Sequence, residues 1–198
     1  MKGPTNAVAA MLLLFAGLSG AQTPEGFEPA VEAKLDITFG TKAVETPGTA
    51  LTKAETAQQP TIAFSGAAAD KSYLWMMIDI DASTNFANPS AGQPSTYLHT
   101  VLRDFTLTTD TTEGTLTTTA SGPVSWFAPA PAAEVPPHPH RYTNLLWEQP
   151  ASWGEGGGVP AAAGAMLQSQ KLGFDVPAFV EAAGLGAPVA ANYFNVSG

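Results

Sequence analysis

Six residues capable of chemistry stand inside or beside apolar runs, where an unpaired polar group is costly. Asp79 and Asp81 close the run Tyr73–Ile80, His99 lies within the β-prone stretch Tyr97–Phe105, and His140, Arg141 and Tyr142 open a further apolar stretch. Asp79 and Asp81 are two apart, so on an extended chain their side chains point to the same side. Neighbouring carboxylates raise one another's pKa unless nearby donors stabilise the charge. Imidazoles beside carboxylates are held in the cationic form and bind anions. Each residue also has an ordinary reading. An aspartate at a strand end forms turns, and a lone strand histidine bonds to backbone. Arg141 can pair with Glu148 or an aspartate, and Trp75, Trp147 and Phe127 read as core.

The elements that must position these residues are mostly strands. Leu35, Ile37 and Phe39 alternate with polar residues, as in a half-buried strand, and Thr61–Ser65 is a second short candidate. The near-continuous apolar run Tyr73–Ile80 reads as a central strand covered on both faces. Tyr97–Phe105, the Thr-rich Leu107–Thr119, Arg141–Glu148 and Val189–Val196 complete the strand set. Turn-rich segments separate them at Thr84–Ser95 and Ala128–Pro139, and glycines 154 and 156–158 mark a surface loop. One helix is expected: Asp175 caps it, Pro177 fits its first turn, and Gly184 or Gly186 ends it.

Composition narrows the function classes. Lys2, the apolar run Ala7–Leu18 and the small residues Ser19-Gly20-Ala21 form the three parts of a secretory leader. That run is shorter than the roughly 20 residues a bilayer span needs. We therefore expect a leader over residues 1–21, a single domain over 22–198, and an extracellular protein without a transmembrane segment. The formal net charge of −9 argues against nucleic acid and anionic membrane surfaces as partners. The chain has no cysteine, so no disulfide or thiolate metal site can form.

In order along the chain, the chemistry-bearing residues resemble a known family. Asp79-Ile80-Asp81-Ala82-Ser83, Tyr97-Leu98-His99, His140-Arg141-Tyr142 and Glu148-Gln149 are similar to the signature of the phosphatidylethanolamine-binding protein family. Its motifs read Asp-Pro-Asp-Ala-Pro, a strand histidine, and Gly-x-His-Arg-Tyr. Phe174–Phe179 and Ala187–Ala190 resemble the family's last helix and strand. The resemblance implies a mainly β, sandwich-like fold: a large central antiparallel sheet flanked by a smaller sheet and short peripheral helices. It also implies a pocket at one end of the sheet for phosphate, phospholipid headgroups, acetate or similar anions. Asp79, Asp81, His99, His140 and Tyr142 match the ligand-binding positions, and Pro129 and Pro131 fall in the loop forming the rim. The chain departs from the pattern at Ile80 and Ser83, which replace two prolines, at His138, which replaces a glycine, and at Phe194, which aligns with a ligand-binding tyrosine.

The resulting expectation is a secreted, non-catalytic binding protein without a cofactor. Its ligand is a small anion or phospholipid headgroup held by hydrogen bonds from His99, His140 and Tyr142, with Asp79 and Asp81 orienting the imidazoles. Two alternatives accompany it. Some members of the family inhibit proteases, which makes a secreted peptidase an alternative partner and an inhibitor or interaction module an alternative role. A metal-dependent hydrolase could use the His/Asp cluster, since imidazole and carboxylate suit zinc, iron or manganese. Neither a His-Glu-x-x-His nor similar close ligand spacing is seen, and no Gly-x-Ser-x-Gly elbow occurs.

Overall fold

The computed structural model describes residues 20–108, 114–153, 158–169 and 171–198. The leader expected over residues 1–21 lies, apart from Gly20 and Ala21, outside the described residues, as do three of the four glycines expected to form a surface loop. Among the described residues ten strands and two α-helices follow one another. They are β1 (Asp36–Phe39), β2 (Lys42–Ala43), β3 (Thr49–Leu51), β4 (Thr61–Ala63), β5 (Tyr73–Ser83), β6 (Pro94–Leu107), β7 (Thr115–Thr117), β8 (Pro123–Val124), β9 (Pro139–Glu148), α1 (Ala161–Ser169), α2 (Val176–Ala183) and β10 (Ala190–Ser197).

The strands hydrogen-bond in the order β2-β1-β4-β7-β6-β5-β9-β10-β3, with β8 on β6. The long strand β6 belongs to both halves of this curled sheet. From Pro94 to Phe105 it pairs with β5, and its end, Thr106 and Leu107, carries β7 and with it the smaller sheet. All pairings are antiparallel except the edge pair β10–β3. This is the mainly β architecture expected, with the smaller sheet bonded onto the larger one.

The apolar run of β5 decides where the core lies. Side chains alternate across a strand, so Leu74, Met76 and Ile78 face one way, packing with Trp147, Phe174 and Phe179 under the two helices. Tyr73, Trp75 and Met77 face the other way, packing with Leu35, Ile37, Phe39 and Ile62 in and beside the smaller sheet and with Phe194 of β10. Trp75 and Trp147 are wholly buried core residues. Trp126, just after β8, stacks on Trp75 at 5.9 Å and 17° and ties its segment to this second core.

Asp175 caps α2 by accepting the Ala178 N–H at 2.9 Å, and Gly184 ends it in the left-handed conformation at φ 65°. One expectation changes. Leu107–Thr119 is not one strand: β6 ends at Leu107 and β7 spans three residues, with 109–113 outside the described residues. Helix α1 is the second of the short peripheral helices, and the sequence does not mark its bounds: it buries only Ala163 and Leu167, and its alanine-rich sequence offers no contrasting polar and apolar stripes. No helix among the described residues is long and apolar enough to cross a membrane.

Candidate functional site

Register across the sheet assembles the site. Asp79 of β5 stands opposite Tyr97 of β6 on one side and Tyr142 of β9 on the other. Residues directly opposite share a face, and His99 and His140 lie two residues from those tyrosines, so the same face receives all five. They line the end of a cavity of about 370 Å³, a volume suited to a small molecule. The remaining walls are largely apolar. Ala82, Phe86 and Pro89 come from β5 and the connection to β6, and Phe127, Ala130, Pro131 and Ala132 from the segment leading to β9.

Asp79 and His140 form a buried pair. His140 Nδ1–H donates to Asp79 Oδ2 at 2.7 Å, with the two side chains only 7% and 4% exposed. The other carboxylate oxygen accepts the Asp81 N–H at 2.9 Å, which fixes the direction of the carboxylate. Burial alone would depress the His140 pKa, but the bonded Asp79 carboxylate, helped by Glu134 and Asp81, holds it above the ordinary imidazole value. Its second nitrogen, Nε2, is buried and has no hydrogen-bond partner. Burial, and then the adjoining Asp79 charge, push the Tyr142 hydroxyl far up, so it stays protonated.

His99 plays the opposite part. Its Nδ1 lies 2.9 Å from the Phe127 carbonyl oxygen. A carbonyl only accepts, so Nδ1 carries the proton. Burial, the leading influence, depresses the His99 pKa and keeps the ring neutral. Its Nε2 is then a bare acceptor rather than the donor expected from the sequence. The site therefore pairs a donor with positive character at His140 with an acceptor at His99.

Asp81 departs from its expected role. It does not line this cavity; its carboxylate accepts three bonds from Arg141, from the backbone N–H at 2.9 Å, Nε at 2.8 Å and Nη2 at 2.7 Å. The ladder between β5 and β9 ends at Asp79 opposite Tyr142, and beyond it the Asp81 side chain takes over the holding of β9. Arg141 pairs with Asp81, while Glu148 pairs with Lys71.

Three further expectations are revised. Phe127 is not core: it is 52% exposed and stacks on His99 at 5.1 Å, forming the rim with Phe86. Of the two rim prolines, Pro131 lines the cavity and Pro129 does not. Phe194, wholly buried, packs face to face on Tyr142 at 5.4 Å, behind the cavity. The sequence reading missed Phe86 and Glu134. Phe86 sits in a polar, turn-like stretch where a large apolar residue has no core to face, and that contrast was the available signal. Glu134 lies four residues before His138 and six before His140, a close ligand spacing unlike that of the helical metal motifs.

Comparison with known proteins agrees with this picture. The family model described as phosphatidylethanolamine-binding protein matches residues 32–194. The chain is 30% identical to phomoidride biosynthesis cluster protein N of Talaromyces stipitatus, over 92% of this chain and 93% of that protein. Among solved structures, the carboxypeptidase Y inhibitor complexed with its cognate proteinase superposes with a TM-score of 0.57 at 19% identity, covering 84% of each chain. The phosphatidylethanolamine-binding protein of Plasmodium vivax superposes with a TM-score of 0.55 at 16% identity, covering 82% of this chain and 83% of that one. With the ordered motifs, the sheet and the matched span in agreement, the chain belongs to the phosphatidylethanolamine-binding protein family.

Proposed function

We propose that this chain is an exported, non-catalytic binding protein whose cavity takes a small ligand with an anionic group and an apolar body. The observation that carries the reading is His140: its ring lines a cavity walled mostly by apolar side chains, its Nδ1 is held by Asp79, and its buried Nε2 makes no hydrogen bond. A carboxylate or phosphate oxygen is the partner such a group needs. His99 Nε2 supplies an acceptor for a hydroxyl or ammonium on the same ligand. Apolar walls at Phe86, Phe127 and Pro131 suit a short hydrocarbon portion better than a free inorganic ion.

Calorimetric titration with hexanoate, phosphoethanolamine and hexanamide tests this. Hexanoate or phosphoethanolamine binds wild type, hexanamide binds at least tenfold more weakly, and His140→Gln loses the difference. Equal affinity for hexanoate and hexanamide sinks the proposal. Export is tested by the N-terminal sequence of the protein recovered from its source: a start at Gln22 in the medium supports it, and Met1 within cells opposes it.

A second reading rests on the rim. Phe86, Phe127 and Val135 are 63%, 52% and 83% exposed and flank the cavity mouth and the loop beside it. A relative of the same fold is an inhibitor bound to a proteinase, so a secreted peptidase is a second candidate partner. Inhibition of a serine carboxypeptidase that Phe86→Ala and Phe127→Ala both weaken supports it, and absence of inhibition refutes it.

A further inference from the structure

Beside the cavity, three side chains gather that the pocket reading does not use together. Glu134 comes from the rim segment, His138 from just before β9, and His140 from its second residue. Glu134 Oε2 lies 4.0 Å from His138 Nδ1, and Glu134 Oε1 lies 3.7 Å from His140 Nε2. All three ligand atoms fall within 4.8 Å of one another. Neither separation is a hydrogen bond, so the groups are brought together without satisfying each other.

Two ligands at about 2.0–2.1 Å from one tetrahedral ion stand about 3.4 Å apart. Each imidazole nitrogen stands within an ångström of this spacing from a Glu134 oxygen, Oε2 for His138 and Oε1 for His140, and the His138 side chain is half exposed. His140 is the fixed member. Its Nδ1 proton is held by Asp79 and its buried Nε2 is unpartnered. A carboxylate behind one imidazole nitrogen, with the other nitrogen free, is the usual support of a metal-binding histidine.

We propose that Glu134, His138 and His140 form a zinc-class divalent metal site, with Asp79 as the positioning residue. Two imidazoles and one carboxylate match the ligand preference of zinc. Three protein ligands also leave one coordination position for a small molecule. His140 lines the main cavity, while Glu134 and His138 line an adjoining cavity of about 220 Å³, so the ion lies where the two meet. This inference goes beyond the anion reading and shares one atom with it, His140 Nε2. It gives the departure from the family glycine at His138 a chemical consequence.

The test is calorimetric titration of the purified, metal-stripped protein with zinc chloride, in buffer free of carboxylate and phosphate. Zinc content after dialysis is measured in parallel. Binding at one ion per chain is expected. His138→Ala and Glu134→Gln should each weaken it at least tenfold, and Asp79→Asn by about 10- to 100-fold. His138 is half exposed on the surface, so His138→Ala decides the matter if another variant does not fold. No stoichiometric binding up to millimolar zinc overturns the inference, as does binding that both ligand variants leave unchanged. The hexanoate titration uses metal-free protein, so either reading can fail without the other.

Discussion

Substituting Asn for Asp81 separates the scaffold of the site from its chemistry. Asp81 is buried and accepts three bonds from Arg141, two of them from the guanidinium. A hydrogen bond to a charged group is worth about 1.5–3 kcal/mol. Asparagine keeps one carbonyl acceptor but turns an amide N–H toward a donor. The Arg141 side chain is 37% exposed and can recover water, which limits the loss. The expected cost at pH 7 is therefore about 2 kcal/mol, or a melting shift of about 4–8 °C for a domain of this size. Burial would raise the Asp81 pKa, but its bonds to Arg141 prevail and hold the carboxyl below the ordinary value. A group with a depressed folded pKa contributes stability above its unfolded pKa, about 3.9, and loses it as pH falls through the folded value. Urea denaturation of wild type and Asp81→Asn across this range should show the gap closing in acid. Asp81→Asn should cost little once Arg141→Met is present. A gap below 0.5 kcal/mol at pH 7, or one that ignores acid, would refute the assignment of Asp81 as the clamp on β9 (a threshold of about the scatter seen for neutral surface changes).

Other expectations concern the site and one helix. His99 is neutral because burial depresses its pKa, so its contribution to stability should fall as pH drops below about 6.5, the unfolded value. The stability difference between wild type and His99→Gln, followed by denaturation from pH 8 to 5, should shift in the variant's favour in acid. Phe127→Ala should weaken hexanoate binding several-fold while leaving acetate binding within twofold, because the ring covers the apolar part of the cavity. Asp175→Ala should cost about 1 kcal/mol through loss of the cap on Ala178, read as a lower urea midpoint at an unchanged slope.

The legibility of the chain followed the strength of its local patterns. The run Tyr73–Ile80 announced a strand buried on both faces because nothing polar interrupts it until Asp79. The cap, proline and glycine around Val176–Ala183 marked a helix because each acts on neighbouring backbone. The meeting of Asp79, His99, His140 and Tyr142 could be anticipated from their order. The opposed parts of the two histidines could not, since they depend on which atom faces Nδ1: the Phe127 carbonyl for His99 and the Asp79 carboxylate for His140. The diversion of Asp81 to Arg141 was hidden for a similar reason, because the ladder ends at Asp79 and Tyr142, two residue pairs before Asp81. Helix α1 left no periodic trace in an alanine-rich stretch.

The stack of Trp126 on Trp75 bears on how such a site can diversify. Trp126 is rooted in the core, while the next residue, Phe127, points outward over His99. The chain from Ala128 to His138 is thus tethered at one end by an indole and at the other by β9. Of that span Ala130, Pro131 and Ala132 line the cavity, while Leu35, Ile37 and Ile62 lie in the second core. On the proposed reading, the exposed Ala130, Ala132 and Ala133, set between two fixed posts, are where ligand preference would change at least cost to the fold.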